Sequence, residues 1–169
     1  MVRPEAAAAL EELFAGAAED GLTLYATSGY RSYSTQKAIF ERKLDRMSEK
    51  QANLSVAKPG YSEHQTGLAM DIEGETTKGT GLTEVFGESP EGIWAAKHCT
   101  EYGFIIRYPK DKTKITGYIY EPWHLRYVGR EAAQEITALD VTFEEYIAMV
   151  RSDRIQWLQE ETQYDDQNP

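Results

Sequence analysis

The sequence predicts an α+β domain with a small, mainly antiparallel sheet flanked by helices. Three observations carry this. Segments of helical period are interspersed with short runs of period two, some strands are joined by hairpin-length connections, and no repeat, linker or composition break divides the chain. At 169 residues the chain is long enough for one core. Residues 1–159 are expected to form a single domain, and residues 160–169, with four acids and no aliphatic side chain, a frayed tail.

Taken in order, Pro4 suits a first helical position, and Leu10, Leu13, Phe14 and Ala17 recur at helical spacing up to Gly21. Leu22 to Thr27 alternates as a strand, followed by the turn Ser28-Gly29-Tyr30-Arg31-Ser32. A second helix is expected from Ser34 to Met47, then a loop from Ser48 to Tyr61 that contains Pro59-Gly60. Gly67 to Ile72 alternates again, which sends Leu68, Met70 and Ile72 to the core and Gly67, Ala69 and Asp71 to the other face. Glu73 to Gly87 reads as an exposed loop. Ser89-Pro90 opens a helix that Gly103 closes, with Ile93, Trp94 and Ala96 inward. Phe104 to Arg107 and Gly117 to Tyr120 read as strands, and Arg130 to Leu139 as a helix. Thr142-Phe143-Glu144-Glu145 has capping-box spacing ahead of a last helix with Tyr146, Ile147 and Val150.

Bulk composition excludes several classes of function. With 18 Lys+Arg against 28 Asp+Glu the net charge is −10, the wrong sign for sequence-independent binding of nucleic-acid phosphate or anionic lipid. The one cysteine, Cys99, rules out an internal disulfide framework and any cysteine-based zinc finger. No apolar run approaches the ~18 residues of a membrane span.

Three histidines occur, few enough that the placement of each can be weighed. Asp71 shares its strand face with Gly67 and Ala69, so its carboxylate borders a hollow with room for a metal or a ligand. An isolated Asp is more readily explained by a hydrogen bond to a turn at the strand end. His64, however, precedes the same strand and can fold back over the hollow, and His124 supplies a second imidazole beside Pro122, which interrupts a regular ladder. Two His and one Asp make a three-ligand set with a fourth position open to water, the pattern of catalytic zinc. The spacing is not the helical His-Glu-x-x-His arrangement. Glu121, three residues before His124, stands where a carboxylate would take a proton from metal-bound water; a surface Glu is the plain alternative. Arg31 in its aromatic-flanked turn offers a guanidinium for bidentate capture of a carboxylate, or a surface ion pair. His98 reads as an ordinary helical histidine.

The run Ser62-x-His64-x-x-Gly67-x-Ala69-x-Asp71, followed by Glu121-Pro122-Trp123-His124, resembles the zinc D-alanyl-D-alanine carboxypeptidase family of the VanY type, whose signature the LD-carboxypeptidases and D-Ala-D-Ala dipeptidases share. Ser28 to Ser32 and Gln36 match its substrate-side segment. Pro59 to Gly67 and Glu121 to Gly129 look like the VanY/LD-carboxypeptidase branch. The resemblance covers roughly Leu22 to Gly129.

That resemblance implies a hedgehog/DD-peptidase-like fold and one zinc ion. His64, Asp71 and His124 match its ligands, Glu121 the catalytic base, and Arg31 the partner of the substrate's terminal carboxylate. Ser62 and Gln36 match positions associated with substrate contacts. Tyr30 and Trp123 are candidates to wall the cleft, Trp123 being equally a core residue. The implied reaction removes a C-terminal D-alanine from peptidoglycan stem peptides or muropeptides. LD-carboxypeptidase action on tetrapeptide stems is the alternative; endopeptidase action and a non-catalytic zinc module are further ones. No nucleic-acid or protein partner is implied, and a monomer is the default at this size. Because such enzymes work outside the membrane and the chain opens without a leader, it is expected as an extracellular or cell-wall-side domain shown without its signal or anchor.

Overall fold

The structure, a computed structural model, describes the backbone of residues 2–167 and the side chains of residues 2–157. Helix α1 (Pro4–Glu19) leads into strand β1 (Leu24–Ser28), helix α2 (Tyr33–Leu44) and the short α3 (Glu49–Ala52). Strand β2 (Ala69–Gly74), helix α4 (Pro90–His98) and strand β3 (Phe104–Tyr108) follow. The chain then runs through α5 (Thr113–Thr116), β4 (Glu121–Tyr127), α6 (Arg130–Ala138) and α7 (Phe143–Gln167).

The four strands form one antiparallel sheet in the order β1-β2-β4-β3. Alternation along β2 and β4 divides its side chains between two faces. Met70, Ile72, Trp123 and Leu125 pack with Leu10, Leu13 and Ala17 of α1 and Trp94 and Ala95 of α4 into the main core. Each Leu, Ile or Met side chain among them contributes about 1.5–3 kcal/mol by leaving water. On the other face, Ile105 packs against Ala133 and Ile136 of α6 with Phe143 and Tyr146 of α7 alongside. Asp71 and His124 lie on that second face, beyond this smaller cluster.

Several expectations need correction. The strand expected at Gly117 to Tyr120 begins instead at Glu121 and carries the whole Glu-Pro-Trp-His run. Pro122 is tolerated because it falls between the register pairs Tyr108↔Glu121 and Ile106↔Leu125, where β3 shifts register and no regular ladder demands an N–H. In α4 the inward residues are Glu91, Gly92, Trp94 and Ala95; Ile93 is 59% exposed and Ala96 also faces solvent. Glu91 is drawn in because its carboxylate accepts from the Thr76 N–H at 3.1 Å and the Thr76 hydroxyl at 2.5 Å, which fixes the rotation of the helix.

The segment after β2 is largely exposed, as expected, but it is not without structure: Thr77 and Phe86 are buried, each in a short 3₁₀ turn. The expected loop after Ser48 contains α3, which opens on a Ser48/Gln51 capping box. Gly67 lies outside the strand, at φ +73°, where it ends the 3₁₀ turn Glu63–Thr66. The capping box at Thr142 is present, with the Glu145 carboxylate accepting from the Thr142 N–H at 2.8 Å. The α7 backbone continues through the acidic segment to Gln167, since no Gly or Pro interrupts it; its side chains from 158 on, and residues 168–169, lie outside the described residues. Among the described residues no helix is long and apolar enough to cross a membrane.

Candidate metal centre

Strand register builds the site. Asp71 on β2 pairs with Ser28 on β1 and with His124 on β4, so three residues from distant parts of the chain form one row across the sheet. The third donor, a second imidazole, arrives through the 3₁₀ turn Glu63–Thr66, which folds His64 over that row. The two imidazole rings meet edge to face, 4.9 Å between centroids.

His64 Nδ1 lies 2.7 Å from the Gly29 carbonyl, an acceptor only, so Nδ1 carries the proton and the Nε2 lone pair faces the site. His64 Nε2 is 3.2 Å from Asp71 Oδ2, and His124 Nδ1 is 3.0 Å from Asp71 Oδ1. The three residues are buried and present one ligand atom each within 4.8 Å of one another. Asp71 Oδ1, although buried, accepts no hydrogen bond. A buried carboxylate that faces one imidazole nitrogen with each oxygen, Oδ1 without a hydrogen-bond partner, fits a cation, and the N, N, O donor set suits zinc.

Electrostatics separate the site's carboxyls. Burial would raise Asp71, but the imidazoles of His124 and His64 outweigh it and hold the group below the usual carboxylate range. Burial also raises Glu121, and because the attraction of His124, Arg31 and Lys43 does not offset burial and the nearby Asp71 charge, its pKa reaches about 7. Burial lowers His124, yet Asp71 and Glu63 carry its pKa up to about 9. Glu121 Oε2 is 3.8 Å from His124 Nδ1.

These groups open on a cavity of about 280 Å³, whose lining includes Arg31, Gln36, Ser62, Glu121 and Trp123. Arg31 is held in its wall. Its guanidinium donates to Ser28 Oγ at 2.9 Å and Gln36 Oε1 at 3.0 Å, and reaches within 3.5 Å of Asp71 Oδ2. Gln36 is 1% exposed and donates to the Ala57 carbonyl at 2.6 Å, so its clearest contact is with Arg31 and the backbone. Trp123 lines the cavity and also belongs to the main core. Tyr30 is not brought to the cavity: next to the inward Arg31, its ring points out and is 54% exposed. His98 lies away from the site, stacked on Trp94 and 2.8 Å from Glu101. Cys99 is buried and its thiol is pushed up to about 12 by burial, which leaves it inert.

Sequence reasoning gave no role to Glu63, although it sits inside the His64 motif. Its carboxylate is buried behind His124, bound by Arg107 at 2.8 Å and Arg126 at 2.9 Å. Burial would raise its pKa; the contact with His124 and the two guanidinium charges overcome that and lower it to about 2. The signal was weak because its partners lie on β3 and β4, far along the chain.

The chain is similar to several known proteins. The family model for D-alanyl-D-alanine carboxypeptidase, VanY, matches residues 1–130. A Bacillus subtilis (strain 168) protein named putative carboxypeptidase YodJ is 51% identical over 150 residues, covering 89% of this chain and 55% of the relative. The chain thus spans about half the length of that curated relative. Among solved structures, the LdcB LD-carboxypeptidase superposes with a TM-score of 0.81 at 52% identity, covering 87% of this chain and 68% of the other. The vancomycin-resistance D,D-pentapeptidase VanY from a VanB-type cassette, in complex with Zn(II), gives a TM-score of 0.73 at 38% identity, covering 86% of this chain and 83% of the other.

Proposed function

The chain belongs to the VanY family of D-alanyl-D-alanine carboxypeptidases, and from that membership we propose that it hydrolyses the C-terminal D-alanine of peptidoglycan stem peptides with one zinc ion. The observation that carries the reading is the shared cavity: the His64–Asp71–His124 set, a carboxyl with a pKa near 7 and a guanidinium all open onto it. His64, Asp71 and His124 would hold the ion. When bound, zinc supplies a Lewis acid for the scissile carbonyl and for the attacking water.

The remaining work falls to this chain's own residues. Glu121 is the base: its carboxylate takes a proton from the attacking water and passes it to the amine of the departing D-alanine. A pKa near the working pH suits a group that must both accept and return a proton. Arg31 grips the terminal carboxylate of the substrate, which makes the enzyme an exopeptidase. Gln36 and Ser28 hold that guanidinium in place, while Ser62 and Trp123 shape the cavity wall. A stem-peptide substrate puts this work on the cell-wall side of the membrane.

A second reading, LD-carboxypeptidase action on tetrapeptide stems, is favoured by the 52% identity to LdcB. Product analysis by mass spectrometry on a pentapeptide, a tetrapeptide and a cross-linked dimer tests both. Release of D-alanine from the pentapeptide alone is expected. Release from the tetrapeptide alone would replace the first reading with the second, and cleavage within the dimer alone would make the protein an endopeptidase.

A further inference from the structure

Behind the metal set lies a group that the reaction itself does not use. His124 turns Nδ1 toward Asp71, and its other nitrogen, Nε2, is buried without a hydrogen-bond partner. Facing it at 3.7 Å is Glu63 Oε2, which is likewise buried and unpartnered. A potential donor and an acceptor, each orphaned, thus point at one another across a gap slightly too long for a hydrogen bond.

The rest of Glu63 is fixed. Oε1 accepts from Arg107 Nε at 2.8 Å and pairs with Arg126 Nη1 at 2.9 Å, so only Oε2 is free to meet the imidazole. Arg107 is itself clamped from the far side: Nη1 and Nη2 donate to the two carboxylate oxygens of Glu144 at 3.0 and 2.5 Å. The Phe143 ring packs under both guanidiniums, 5.1 Å from that of Arg107 and 5.2 Å from that of Arg126. Phe143 and Glu144 open α7 and lie beyond residues 1–130 matched by the family model.

We propose that Glu63 is a positioning residue for the metal site: its Oε2 accepts the Nε2–H of His124 and fixes the ring so that Nδ1 presents its lone pair to the ion. The start of α7 holds this arrangement through Glu144 and Arg107. A carboxylate on the far nitrogen of a ligating histidine sets both tautomer and orientation, and its loss typically costs 10- to 100-fold in metal affinity.

This inference rests on the reading of His64, Asp71 and His124 as a zinc site, and the experiment separates the two. Zinc dissociation constants are measured by competition with a chromogenic chelator for the wild type and Glu63→Gln, at a temperature where circular dichroism shows both folded. The Co(II)-substituted proteins are compared by their d–d absorption. Failure of the wild type to bind zinc would sink the underlying reading. With the wild type binding, the expected result is a dissociation constant raised about 10- to 100-fold in Glu63→Gln, with shifted cobalt bands. Equal affinity and unchanged bands would overturn the role of Glu63. If Glu63→Gln does not fold, ¹⁵N-histidine NMR of the zinc-loaded wild type decides. A protonated Nε2 with slow proton exchange on His124 supports the proposal, and a metal-bound or unprotonated Nε2 refutes it.

Discussion

Asp71 and His124 stand directly opposite each other on β2 and β4, with Oδ1 3.0 Å from Nδ1. Their meeting is a consequence of register, because a slip by one residue would turn either side chain to the other face of the sheet. The proposed metal set therefore needs little local organisation beyond the turn that brings in His64. We expect one zinc per chain in the wild type and loss of stoichiometric metal in Asp71→Ala and His124→Ala. Elemental analysis after dialysis checks this. Zinc at 1,000 times its dissociation constant should stabilise the wild type by about 4 kcal/mol, readable by calorimetry, and a chelator should remove that gain. A full zinc complement in Asp71→Ala would exclude the carboxylate as a ligand.

Glu121 lies at the edge of this set without belonging to it, 3.8 Å from His124 Nδ1. Glu121→Gln should keep its zinc while peptide hydrolysis falls by roughly 10²- to 10⁴-fold, the range for loss of a general base. Zinc content and turnover measured on the same preparation give the answer. Undiminished hydrolysis would remove Glu121 from the mechanism.

Arg31 is held by Ser28 and Gln36 with part of its guanidinium toward the cavity. If it binds the terminal carboxylate, Arg31→Ala should cost about 2–5 kcal/mol in kcat/KM on free-carboxylate peptides, the range for truncating one partner of a buried charge pair. C-terminally amidated peptides, which lack that charge, should discriminate little between wild type and variant. An equal loss on both would mean that Arg31 acts on Asp71 or on the fold rather than on the substrate.

The parts of this molecule legible in the sequence are those written locally. The spacing of Leu10, Leu13 and Ala17 gives α1, and Thr142 with Glu145 gives the start of α7. His64, Asp71, Glu121 and His124 stand out because few histidines occur and each stands near an acid. What the sequence concealed depends on contacts between distant segments. Pro122 argues against a strand until the irregular β3–β4 register is known. Ile93 looks like core until Glu91 binds Thr76 and turns α4 by its own hydrogen bonds. Glu63 is fixed behind His124 only when Arg107 and Arg126 converge on it from β3 and β4. The charge balance has the same lesson: an excess of acid says nothing of a site in which two carboxyls are held far apart in pKa by their surroundings.

That separation gives a stability prediction for the metal-free protein. Glu121 has a pKa of about 7 in the folded state against 4.5 for an ordinary glutamate. Between those values the folded state binds more protons than the unfolded one, so the contribution of Glu121 to stability falls as pH rises through this window and levels off above 7. A shift of this size corresponds to about 3 kcal/mol. Gln carries no charge at any pH and removes the slope. Urea unfolding of metal-free wild type and Glu121→Gln from pH 4.5 to 8 should therefore show their difference moving by about 3 kcal/mol in favour of the variant. Glu63 titrates below this window, with the opposite sign. His124, raised to about 9, loses its contribution as pH climbs from 6.5 through that value. Glu63 is common to the two proteins and cancels in the difference, whereas the Glu121 charge is among the groups that raise His124, so the difference above pH 6.5 includes that coupling. Parallel stability curves across the window would show that burial does not hold the Glu121 proton.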